Sequence, residues 1–564
     1  MGSINGKPNL FFITSPRSPY KMKGEILVLV NNFSHQCWSG NVPLQKQFYE
    51  KLSESDFFSG STNGDLALKA RDRITRGPKA LGLVDLKPEI LLTRAGEGYI
   101  KGEFPAEAFT RQLLKFQLPS PFHTDKGKKF SVRPYLELIR LIYELDRISK
   151  DEIAAFVMQL TNIDKYQLIK QKIIDFRQEI NDLDKTHTNY KRAFDNIYTR
   201  EIEYTYSDLM QEGETGTRQS NDDSKEHFIK TKKANHKDYA DAAIRYLRET
   251  KLFSIKSSRS RKITIDNKKV EEILFILESV PREPIFVNDE YKYKEYLYSS
   301  ELPKLLTDDK DSLTNYILGN SKFYSVLDLR KKSIYDLKVI KQSITDENLT
   351  KLIQDQETSL HTYEKYSDII DVYNEIHSND LIEPSLFMEW NTWRAFVMLD
   401  DGRIRGNFGL DDEGMPLSHA PGNKADIVCE YKDFDLTVEV TLSTGATQFE
   451  MEGETVPRHL GNHKKNSNKD CFSVFIAPTI HPATIAHFYS LYRTSISFYG
   501  GISKIIPLNL SDFLRMISVA KKVPQKPTSV HIEKFIKTAA AMALDSENEN
   551  DWFNSVRNLI ETWV

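Results

Sequence analysis

The chain of 564 residues carries 77 Lys and Arg against 80 Asp and Glu, a net charge of −3, with 40% hydrophobic residues and a mean hydropathy of −0.48. This describes a globular protein of several domains and excludes a disordered or fibrous one, and no apolar run reaches the roughly 20 residues of a membrane helix. Three widely spaced cysteines, Cys37, Cys429 and Cys471, exclude a disulfide framework and a cysteine-based zinc site; with only a strand-length run at Ile26–Val30 and no signal-peptide core, the expected location is the cytoplasm.

The charge is unevenly placed. Residues 1–300 hold 49 basic and 42 acidic side chains, residues 301–564 hold 28 and 38. The front suits a polyanion and the back concentrates carboxylates.

The chain opens on a proline-punctuated basic arm that includes Arg17, Lys21 and Lys23. Leu66, Ala67, Ala70 and Ile74 then recur at helical spacing, with Lys69, Arg71, Arg73, Arg76 and Lys79 on and beyond the other face. A Leu-Gly-Leu-Val turn and a short hairpin follow, the order of a winged helix, which lays its basic helix in the major groove of DNA. The pattern recurs. An amphipathic helix lies within Phe130–Leu145, Ser149 and Glu152 form a capping-box pair, and Tyr239–Glu249 reads as a helix. Two alternating strands, 252–255 and 262–265, flank a turn holding Lys256, Arg259 and Arg261, with Lys262 at its exit. Residues 1–285 are thus expected to be two or three winged-helix-like modules that recognise DNA. Residues 286–370, ending in charged helices free of Gly and Pro, read as a helical linker.

From residue 371 onward the character changes. A helix over Glu383–Leu399 presents Trp390, Trp393, Phe396 and Val397 as an apolar stripe. A hairpin over 425–441 and two strand–helix repeats then predict an α/β sheet. Asp426 begins one hairpin strand and Glu439 lies thirteen residues later on its partner, sharing a face with Thr441. Two carboxylates meeting across a hairpin repel unless a cation sits between them. Oxygen ligands of this kind suit Mg²⁺, which can serve phosphodiester hydrolysis. His459 and His463, four residues apart, have no third ligand at suitable spacing and read as surface histidines rather than a zinc pair. Walker A, Rossmann and nucleophile-elbow motifs are absent.

The order Asp426…Glu439-Val440-Thr441 resembles the PD-(D/E)XK nuclease core, with Thr where most members carry Lys. Together with Glu389-Trp390-xx-Trp393-Arg394 and Gln448-xxx-Glu452-Gly453-xxx-Pro457-Arg458-His459, it resembles the AlwI-type family of type IIS restriction endonucleases and their nicking relatives, closest to readers of GAGTC. The resemblance implies a bacterial, multidomain α+β protein with winged-helix recognition modules, a helical linker, and a C-terminal PD-(D/E)XK cleavage domain over 371–564. It implies Asp426, Glu439 and Glu389 as metal ligands, with Val440 contributing, and Glu452 and Thr441 completing the catalytic set. Gln448 and His459 are outer or phosphate contacts. It implies one or two Mg²⁺ ions, double-stranded DNA as substrate, and a cognate methyltransferase. A monomer with one cutting site needs transient dimerisation or a second catalytic subunit to sever both strands. The rival readings are a winged-helix regulator with a non-catalytic back domain and a structure-directed repair nuclease.

Overall fold

The computed structural model describes residues 4–55, 57–58, 60–181, 187–217, 220–255, 262–378 and 381–564. The described residues form two compact units, one up to Ile344 and the other from Thr345 onward. Both are rich in helix, and the second is built on a mixed sheet, an α+β architecture. Among the described residues no helix is long and apolar enough to cross a membrane.

In the first unit, Asn41 and Asp65 cap helices Val42–Ser53 and Leu66–Arg76 by accepting the N–H groups of Leu44 and Leu68. The expected apolar positions Ala67, Ala70 and Ile74 are buried. A two-residue-per-strand hairpin follows, pairing Val84 with Leu92 and Asp85 with Leu91. Farther on, helix Pro134–Leu145 leads to strand Arg147–Ser149 and helix Lys150–Ala155. The capping box forms as expected: Ser149 Oγ accepts from Glu152 N–H at 3.1 Å, and Glu152 Oε2 from Ser149 N–H at 2.7 Å. Helix Lys225–Glu249 then enters a three-stranded antiparallel sheet in which Lys262–Ile265 lies between Arg147–Ser149 and Phe253–Ser254.

The linker expectation for 286–370 is corrected over residues 286–344, which pack within the first unit. Helix Pro105–Lys115 buries four polar side chains; Thr110 bonds Ala106 O within the helix, and this segment supplies partners for the other three. Arg111 pairs with Asp308 at 2.8 Å, Gln112 donates to Leu297 O at 2.7 Å, and Lys115 to Ser299 O at 2.6 Å. Lys338 adds ion pairs to Glu107 and Asp308.

The second unit contains helix Pro384–Leu399 (α1), strands Arg403–Gly406 (β1), Ile427–Glu430 (β2) and Phe434–Val440 (β3), and helix Ala446–Lys464 (α2). Strand Asp470–Ala477 (β4), helix Pro482–Leu491 (α3), strand Ile505–Asn509 (β5) and helix Leu510–Lys522 (α4) complete the core. The sheet order is β5-β4-β3-β2-β1, with β3, β4 and β5 parallel and β2 antiparallel to both neighbours. Expected strands and helices in this region form at or near their expected positions. The apolar stripe of α1 is corrected: every residue from Leu386 to Leu399 is buried, so the helix is enclosed on all sides.

β3 is likewise covered on both faces. Asp435, Thr437 and Glu439 share one face, and α2 lies over it, delivering His459 to Glu439 and His463 to Asp435. The chain turns from β3 into α2 through Gly445, whose φ of +66° lies where glycine alone is unstrained.

Candidate active site

Hairpin register creates the site. Val438 pairs with Ile427, so Asp426, one residue before β2, falls opposite Glu439. Val440 enters through its backbone, donating its N–H to Asp426 Oδ2 at 2.8 Å. Glu439 is only 5% exposed and lies 2.9 Å from His459 Nδ1. Glu389 comes from the enclosed helix α1, 6% exposed. It is held by His419 Nδ1 and by the N–H of Ala420, which donates at 3.3 Å. Glu452 projects from α2, partly exposed, beside the Thr441 hydroxyl, which favours its charged form. Asp426, Glu452 and Thr441 keep partial solvent access, so the cluster is not sealed.

These carboxyls feel one another. Burial, then Glu389 and Glu439, push Asp426 well above the usual carboxylate range, against the pull of the Val440 N–H. Burial, then Glu452 and Glu389, do the same to Glu439, with Arg458 opposing. Burial raises Glu452. Burial and Arg458 lower His459 to about 4, so its imidazole is neutral at ordinary pH. An all-oxygen donor set crowded by its own charge fits a hard divalent cation such as Mg²⁺. Among the described residues, no three of these carboxyls bring ligand oxygens within 4.8 Å of one another.

The raised pKa values set the sign of a pH effect. In the metal-free protein their contribution to stability is present at low pH and lost as pH rises through the raised values. A bound Mg²⁺ would offset that loss, so the increase in melting temperature on adding Mg²⁺ should grow as pH is raised across the range from the ordinary carboxylate values to neutrality and above. Calorimetry with and without the ion checks this, and an increment flat across the range would remove the cation from the cluster.

Of the two expected outer residues, His459 lies against Glu439, whereas Gln448 does not take the place of a phosphate contact. Gln448 is fully buried, donating to Ser443 O and Thr479 O at 2.8 and 2.9 Å and accepting from His481 N–H at 2.8 Å. With those bonds made, it ties two loops together instead of meeting a phosphate. His459 and His463 are not surface histidines: each is drawn onto a β3 carboxylate. Sequence reasoning missed His419, which sits in an irregular segment with no periodicity to mark it. It missed Arg458 as well, although that residue lies inside the quoted tract.

The basic residues of the first unit sort by environment. Arg17 is exposed and reaches Asp238 and Asp241. Lys23 is exposed, and Arg76 is exposed while bonding Asp72 at 3.0 Å. Lys69 donates to the carbonyls of Ser61 and Asn63, and Arg71 reaches Gln45 at 3.4 Å. Lys21, Lys79 and Lys262 are partly buried, and burial lowers the pKa of each; Lys79 lies over the Phe122 ring. Arg73 corrects its expected place on an outward face: it turns in to pair with buried Glu25. Lys256, Arg259 and Arg261 lie outside the described residues.

A sequence model described as AlwI restriction endonuclease matches residues 79–516. No curated protein matches the chain. The solved structures similar to it include two endonuclease components. One is the small subunit (R.BspD6I2) of the heterodimeric restriction endonuclease R.BspD6I, 26% identical, covering 35% of this chain and 97% of that one, TM-score 0.30. The other is the BpuJ1 endonuclease binding domain in complex with pyrene- and phenanthrene-modified DNA, 15% identical, covering 49% and 90%, TM-score 0.31.

Proposed function

Because the chain belongs to the AlwI restriction endonuclease family, we propose that it is a type IIS enzyme that reads a short asymmetric site, GAGTC, and cuts a few bases downstream with Mg²⁺. The observation that carries this reading is the convergence of Asp426, Glu439, Glu389 and Glu452 beside Thr441. Asp426, Glu439 and Glu389 are the residues that would hold Mg²⁺, in a PD-(D/E)XK arrangement. Bound there, the ion supplies positive charge against the phosphate under attack and lowers the cost of forming the nucleophile from water.

The chain's own groups do the positioning. The Val440 N–H orients Asp426, neutral His459 steadies Glu439, and His419 with the Ala420 N–H fixes Glu389. Thr441 stands where a lysine would orient the attacking water. Its hydroxyl, with Glu452 beside it, takes that place as a donor and acceptor pair without a formal positive charge.

Recognition belongs to the first unit, whose helix-then-hairpin successions support winged-helix modules. Exposed Arg17, Lys23 and Arg76 would meet phosphates or base edges. One carboxylate cluster severs one strand, so double-strand cleavage would use a second copy or a second catalytic subunit. A cognate methyltransferase would protect the host's sites.

The test is incubation of plasmid with the purified protein in Mg²⁺ or EDTA, followed by sequencing of the ends. The expected result is Mg²⁺-dependent fragments whose ends all lie at one offset from GAGTC. Ends at a fixed offset from a different motif would replace the site assignment, and nicked circles would assign a strand-specific enzyme. Sequence-specific binding without breaks would leave a DNA-binding regulator. Binding should also weaken steeply with salt as phosphate contacts release counterions, by filter retention across a salt series. A flat response would remove the cationic surface from the interface.

A further inference from the structure

Asp435 stands four residues before Glu439 on β3, roughly 13 Å away by strand rise, and is served by groups of a different kind. The parallel register sets Cys471, at the start of β4, directly beside it. His463, one turn beyond His459 on α2, brings Nε2 to 3.1 Å from Asp435 Oδ2. One ligand atom from each of Asp435, His463 and Cys471 lies within 4.8 Å of the other two. The sheet thus supplies His463 with two partners, Asp435 and Cys471, that helical spacing could not show.

We propose that Asp435, His463 and Cys471 form a zinc site distinct from the carboxylate cluster. Thiolate, imidazole and carboxylate are the donors Zn²⁺ takes in four-coordinate sites, a water completing the set, whereas Mg²⁺ avoids thiolate and imidazole. The carboxylate is already oriented for this role. Lys469 Nζ donates to Oδ1 at 3.1 Å and to Tyr431 O, leaving Oδ2 turned toward His463 and Ser467. Such an outer partner fixes a ligand's direction. On binding, the Cys471 S–H bond breaks, its electron pair forms the S–Zn bond, and the proton leaves to solvent. The ion ties the end of α2 to β3 and β4, the elements that carry Glu452, His459 and Glu439.

The experiment uses the untagged full chain, stripped with EDTA and titrated with Co²⁺ as a spectroscopic stand-in. The expected result is a thiolate-to-cobalt charge-transfer absorption that saturates at one equivalent, vanishes when Zn²⁺ is added, and persists in excess Mg²⁺. It should remain in Cys37→Ser and disappear in Cys471→Ser. Absence of the band in the unaltered protein overturns the proposal, as does a band that survives Cys471→Ser. If Cys471→Ser does not fold, His463→Ala serves: Co²⁺ affinity should fall by at least about 10-fold, and unchanged affinity overturns the site. None of these readouts involves DNA cleavage, so loss of this site and loss of the nuclease reading are separate outcomes.

Discussion

Asp426→Asn should abolish strand cleavage, by roughly 10³-fold or more, while specific DNA binding persists; Glu439→Gln should do the same. The magnitude is that of removing several kcal/mol of charge stabilisation from the reacting phosphate. The amide keeps the shape of the side chain and can still face the Val440 N–H. It removes one of several buried like charges, so the metal-free variant should melt at a higher temperature than the unaltered protein. A residue that supports the fold alone would give the opposite: lower stability, with binding and cutting falling together. Three measurements decide between these: plasmid cleavage, gel-shift affinity for the cognate duplex, and the melting temperature in EDTA. Full cleavage by either variant would end the assignment of that carboxylate.

Arg73→Ala should destabilise the first unit by about 3–5 kcal/mol, the cost of leaving one member of a buried ion pair alone. The Glu25 side chain is 1% exposed and that of Arg73 17%. Burial already raises Glu25 to about 7 against the pull of Arg73, and the guanidinium also lies near the Tyr49 and Phe58 rings. Without it, the Glu25 carboxyl would be raised further. Since a raised carboxyl loses its contribution as pH climbs through its folded-state value, the deficit should widen above about pH 7. Urea unfolding at pH 6 and pH 8 measures both effects. Arg76→Ala, on the exposed face of the same helix, should change stability by under about 0.5 kcal/mol and act on DNA affinity instead. A small stability change in Arg73→Ala with a large loss of specific binding would return Arg73 to the recognition surface.

The alternation around Glu439 and the helical spacing around Ile74 were legible because period and burial act locally. What periodicity cannot report is the partner of a polar side chain. Arg73 falls on the polar side of its helix, yet helix Lys21–Phe33 offers a buried carboxylate and the arginine follows it inward. Residues 286–344 look like a spacer because they are charged, whereas buried Arg111, Gln112 and Lys115 draw on their carbonyls and on Asp308. His459 and His463 were visible as a helical pair, but their acceptors lie on a strand earlier in the chain. Only tertiary packing of α2 over β3 brings these groups together.

The three residues Tyr431, Lys432 and Asp433 that join β2 to β3 act as a ruler. Tyr431 donates its N–H to Phe434 O at 3.1 Å, closing the turn and setting which β3 residue faces Asp426. Side chains alternate along a strand, so a one-residue insertion or deletion there would bring a valine to that position and drive the glutamate into the apolar interior. Length variation among relatives should therefore collect in other loops. This turn should tolerate changes of residue identity far better than changes of length.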